Sequence, residues 1–176
     1  MKTIQILLAL SLMMGAQACE TEIPETDVDP PTFSIKITGD GFDETFYQDT
    51  NFDRFQLNLR EGAEYTFLIS GGDTGGLKRF EVYFAPDYIQ MNPNLGGNWA
   101  RTSLSGLTDM LYWTGNASSP LTGTLLNGTF IADGDLASSP ITFYLTDFGG
   151  SEGSSNITSA SLNVYSGDHA TEIKYF

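Results

Sequence analysis

The sequence predicts an all-β domain, preceded by a short leader and an acidic tether. Hydrophobic residues recur with a period of two in six runs: Phe33, Ile35, Ile37; Phe55, Leu57, Leu59; Tyr65, Phe67, Ile69; Phe80, Val82, Phe84; Ile141, Phe143, Leu145; and Ala160, Leu162, Val164. That is the period of a strand with one buried face, because successive side chains point to opposite sides of a sheet. Between the runs lie clusters of Gly, Asp, Asn and Ser, the residues that turn a chain. No window of helical length carries an apolar stripe at i, i+3, i+4 and i+7, and 19 glycines interrupt any long helix.

At the amino terminus, Lys2 is followed by an apolar run from Ile6 to Ala16 and then by small residues at Ala16 and Ala18, the three parts of a secretory signal. The run is shorter than the roughly 20 residues a membrane span needs, so residues 1–18 read as a cleaved leader. Cys19 is the only cysteine, which excludes an intramolecular disulfide. The stretch from Leu12 to Cys19 resembles a bacterial lipoprotein signal, which implies cleavage before Cys19 and a diacylglyceryl group on its sulfur. Ala16-Gln17-Ala18 would also suit an ordinary signal peptidase, leaving a secreted chain that starts at Cys19.

Residues 19–32 hold the lipidated cysteine and an acidic, proline-containing tether, Glu20 to Pro31, with almost nothing to bury. An acidic run directly after the cysteine resembles the surface-export signal of some Gram-negative lipoproteins, which implies an outer-membrane anchor and a cell-surface position; the alternative is a solvated linker carrying no address. The net charge of −14 disfavours nucleic acid and anionic lipid head groups, so the lipid would anchor the protein alone.

From residue 33 to 176 the composition does not change, and the length suits one domain. Arg60-Glu61-Gly62-Ala63-Glu64 lies between two alternating runs and predicts a tight hairpin at Gly62. An internal echo predicts two corners: Asp73-Thr74-Gly75-Gly76 and Asp147-Phe148-Gly149-Gly150 each follow a strand and precede another. The aspartates are expected to close Asx-turns, and the glycines to take positive φ. With these corners the chain resembles the bacterial immunoglobulin-like domains, which implies a β-sandwich with Greek-key connections over residues 33–176. The resemblance implies no particular function.

Catalytic patterns are scarce. Gly149-Gly150-Ser151-Glu152-Gly153 matches the G-x-S-x-G pattern with Asp168-His169 downstream, but Ser154, Ser155 and Asn156 cannot open the helix that a nucleophile elbow requires. His169 is the only histidine, so a site built from His and Cys ligands is excluded by inventory. No cofactor is expected, with Ca²⁺ the one candidate ion. Asp40 with Asp43 and Glu44, Asp49 with Asn51 and Asp53, and Asp133 with Asp135 are closely spaced oxygen ligands, although Arg54 stands where an EF-hand needs glycine.

Residues 86–120 read as an irregular insertion in which Tyr88, Trp99, Tyr112 and Trp113 alternate with asparagines and glycines. Such rings either contact a ligand or cap the open ends of the sandwich. The expectation is a non-enzymatic, membrane-anchored envelope lipoprotein whose domain binds a glycan or an envelope protein. A carboxylate-based hydrolase and a structural spacer are the alternatives.

Overall fold

The computed structural model describes residues 22–134 and 137–176. The leader, residues 1–18, and Cys19 lie outside the described residues, as does Asp135. Two sheets pack face to face. The smaller has the order β2 (Phe42–Tyr47), β1 (Thr32–Gly39), β4 (Glu64–Gly72), β9 (Gly123–Ala132), β6 (Ile89–Pro93). The larger has the order β12 (Glu172–Tyr175), β3 (Phe55–Arg60), β11 (Ile157–Gly167), β10 (Ala137–Asp147), β5 (Leu77–Phe84), β8 (Thr108–Thr114), β7 (Trp99–Ser105). The all-β sandwich expected from the sequence is the fold observed. Neighbouring strands are antiparallel except β3 and β11, which pair in parallel with Leu57 opposite Val164.

Five of the six alternating runs are buried throughout, and in the sixth Leu162 and Val164 are buried beside a half-buried Ala160. Phe33 of β1 stacks on Phe143 of β10 with ring centroids 5.1 Å apart, joining the sheets across the core. Each fully buried ring of this kind contributes about 1.5–3 kcal/mol relative to an exposed one. The sheets approach closely at Gly71, where a Cβ would lie 2.7 Å from the Phe80 ring and 2.9 Å from Leu145.

Gly62 takes positive φ, and Ala63 N donates to Arg60 O, so the turn expected there forms. It does not make a hairpin. β3 joins the larger sheet and β4 the smaller, because both strands bury their apolar faces in the core between the sheets rather than side by side. The arch is closed by Tyr65, whose hydroxyl accepts from Arg60 N at 3.0 Å and lies 2.6 Å from Thr171 Oγ1. This is the bonding of a tyrosine corner, a hydroxyl returned to the backbone a few residues upstream.

Residues 86–120 are mostly strand. β6 extends the smaller sheet, while β7 and β8 form a hairpin at the edge of the larger. The tether also differs from a solvated linker. Ser151 N donates to Pro24 O at 2.8 Å, Glu152 N to Glu25 O at 3.1 Å, and Asn156 Nδ2 to Asp27 O at 3.0 Å. Residues 24–31 therefore lie along the β10–β11 loop, and Pro31 is buried.

Candidate functional site

The outward positions of β10, β5 and β8 form one face of the larger sheet. Registration places Tyr144 beside Glu81 and Glu81 beside Tyr112, with Tyr83 beside Thr142. Tyr83 and Tyr144 meet edge to face at 5.7 Å, and the Arg79 guanidinium lies 5.1 Å over the Tyr112 ring. Glu81 holds the row together: Arg79 Nε donates to its Oε1 at 2.5 Å, and the Tyr83 hydroxyl donates to its Oε2 at 2.9 Å. Burial, reinforced by the Glu81 carboxylate, pushes the Tyr83 hydroxyl above its usual pKa, so it stays a donor.

Tyr144 is 42% exposed and also walls a groove of about 350 Å³ between the β2–β3 connection and the β10–β11 pair. Gln48, Asn51, Thr142, Ser159 and Ser161 supply amides and hydroxyls there. A polar groove opening onto a row of rings can hold a flat, hydroxyl-rich ligand. On this face both Glu81 oxygens are engaged by Arg79 and Tyr83, and the Asp53 carboxylate lines the groove beside it.

The four aromatic candidates separate. Trp99 is 7% exposed and Trp113 3%; both belong to the core, Trp99 lying 5.5 Å from Phe80 with its Nε1 donating to Thr124 Oγ1 at 2.9 Å. They are corrected from ligand contacts to core residues, because β7 and β8 turn them inward. Tyr88 is exposed in the turn before β6. Only Tyr112 lies on the aromatic face. Tyr83 and Tyr144 were missed, although tyrosines alternating with Phe80, Val82, Phe84 and with Phe143, Leu145 sit where a strand faces outward.

Ser151 and His169 stand beyond opposite ends of the 11-residue strand β11, about 30 Å of chain apart, so the G-x-S-x-G pattern assembles nothing. The acidic loops divide as well. Asp43 pairs with Lys36 at 2.8 Å and Asp40 with Arg60 at 3.3 Å. Asp133 bonds Gln90 and the amide of Gly134, while Asp49, Asn51 and Asp53 are exposed.

Among the described residues, the carboxylates that converge are Asp27, Asp73 and Asp147, with one oxygen of each within 4.8 Å of the others. β5 and β10 are antiparallel neighbours with Leu77 opposite Asp147, so the chain entering β5 meets the chain leaving β10. Phe148 N donates to Gly76 O at 3.1 Å across this junction. Asp73 closes the expected Asx-turn, Gly75 N donating to its Oδ1 at 2.8 Å. Asp147 does not close one; it accepts from Asn156 N at 2.6 Å and Asn156 Nδ2 at 2.8 Å, bracing the loop that follows.

Gly76, Gly149 and Gly150 take positive φ, whereas Gly75 does not. Gly75 is needed for space: a Cβ there would meet Asp27 Oδ2 at 2.0 Å. At Gly150 a Cβ would lie 2.7 Å from Glu25 O, so both corners are cut to receive the tether. Burial first, and the Asp27 carboxylate second, push the Asp73 carboxyl up to about 6.

No protein-family model matches the chain, and no curated protein matches its sequence. Among solved structures it is similar to the cohesin module of a family 33 glycoside hydrolase from Clostridium perfringens, at 10% identity and a TM-score of 0.36, over 64% of this chain and 98% of that one. It is similar also to a non-cellulosomal cohesin from the archaeon Archaeoglobus fulgidus, at 10% identity and a TM-score of 0.36, over 64% and 91%. Likenesses of this size decide neither partner nor activity.

Proposed function

We propose that the protein is a non-enzymatic binding module of the bacterial outer membrane, tethered by lipid at Cys19, which holds a neutral glycan on the outer face of its larger sheet. The observation that carries the ligand class is the row Tyr144, Tyr83 and Tyr112 opening onto the amide and hydroxyl groove. Ring faces cover the apolar side of a sugar while Gln48, Asn51 and Ser161 bond its hydroxyls. A neutral polymer suits a chain of net charge −14 better than an anionic one.

Calorimetric titration against a panel of soluble neutral polysaccharides tests this reading. Tyr144→Ala, an outward change that leaves the core intact, is expected to weaken binding roughly tenfold, equivalent to about 1.4 kcal/mol. Unchanged affinity in Tyr144→Ala would remove the face from consideration, and capture of an envelope protein with no polysaccharide binding would favour an assembly role. Intact mass of protein extracted from membranes, compared with Cys19→Ser, tests the anchor: the expected result is residues 19–176 plus a diacylglyceryl group, absent in the variant.

A further inference from the structure

Three carboxylates from distant parts of the chain meet where the tether crosses the two corners, and one of their oxygens is buried without a partner. Asp147 is 0% exposed and Asp73 8%. Asp27 Oδ2 is itself buried, has no hydrogen-bond partner and lies over Gly75. Asp73 receives a hydrogen bond from Gly75 N at Oδ1, and its carboxyl meets that of Asp27. None of the salt bridges among the described residues involves any of the three. Gathering like charges out of water is unfavourable unless a counter-charge joins them.

We propose that Asp27, Asp73 and Asp147 bind a hard divalent cation, calcium, which fastens the tether to both corners of the sandwich. Oxygens sharing one Ca²⁺ at 2.3–2.6 Å lie within about 5 Å of one another, as these do. Three carboxylates borne on loops and a tether suit calcium, whose coordination is flexible, better than magnesium, which keeps most of its water and binds one or two carboxylates. An all-oxygen donor set is also unsuited to zinc. The orphaned Asp27 oxygen supplies the ligand that the corners alone lack. The site is thus completed only when the tether is docked, so cation binding and tether docking are one event. This assignment does not depend on the aromatic face.

The test uses the full chain in detergent, stripped of metal, at neutral pH. Titration with CaCl₂ is expected to give one equivalent of binding, and calcium at 100 times its Kd should raise Tm by roughly 5–10 °C over EDTA. It should also slow cleavage after Glu25 by a Glu-specific protease. Asp147→Asn disturbs the bonds to Asn156 and could unfold the loop, so Asp27→Asn is the deciding variant. It should weaken calcium binding at least tenfold, on the order of what loss of even an outer-shell partner costs, with a Tm in EDTA no lower than that of the parent.

Calcium bound equally well by Asp27→Asn would place the ion in the exposed acidic loops and overturn the proposal. Absence of stoichiometric binding, with equal Tm in calcium and EDTA, would show that a shared proton alone accommodates the cluster. An equal rise from magnesium would overturn the assignment to calcium.

Discussion

At Trp99 and Trp113 the identity of a side chain is a poor guide to its task. Both are large rings in a segment rich in glycine and asparagine, yet the pairing of β7 with β8 places them directly opposite one another on the inner face. Trp113→Ala should cost about 3–5 kcal/mol of unfolding free energy, measured in urea, as expected for truncating a buried ring. Gly71→Ala carries the opposite error, too much volume. Its methyl would press on Phe80 and Leu145, and about 1–3 kcal/mol should be lost. Inward residues such as Ile35 and Phe143 were legible because alternation is a local signal. Which outward residues form a surface was not, because Tyr83 and Tyr144 are neighbours only after β5 and β10 pair.

Among the elements, the β3–β4 arch shows where local reading stops. Arg60 to Glu64 has the residues of a tight turn, and the turn forms; what a turn cannot specify is whether its strands pair or part into opposite sheets. Tyr65 holds the parting, and its burial raises the pKa of the phenol despite the bonds from Thr171 and Arg60. A group whose folded pKa is raised contributes stability that is complete below the unfolded value and lost as pH rises through the folded one. Alkaline unfolding above pH 10 should therefore be shallower in Tyr65→Phe than in the parent. The same substitution should cost about 1–3 kcal/mol at neutral pH, because the Arg60 amide loses its nearer acceptor. β7 was hidden for a related reason: as an edge strand it buries only Trp99, so its sequence carries no alternation to read.

For the molecule as a whole, the larger lesson concerns contacts between distant segments. The echo of Asp-x-Gly-Gly was visible, and the corners were expected to be turns. Nothing local indicates that antiparallel pairing of β5 with β10 brings them together, or that Asp27 would lie between them. The segment from Pro24 to Asp29 would be read as solvated on composition alone, since acidic and proline residues have little to bury; four of its residues, Pro24, Glu25, Asp27 and Asp29, are tied to the domain, mostly through backbone carbonyls.

That attachment changes the mechanics of the anchor proposed at Cys19. A free tether ending at Thr32 would let the sandwich roam over about 45 Å, at roughly 3.5 Å for each residue. With Pro24 already bonded to the β10–β11 loop, a lipid on Cys19 would leave only the five peptide steps from Cys19 to Pro24 between the domain and the bilayer, about 18 Å at full stretch. The protein would then stand on the membrane like a short post, corner end down, and the height at which its aromatic face is displayed would be set by whether residues 24–31 stay seated.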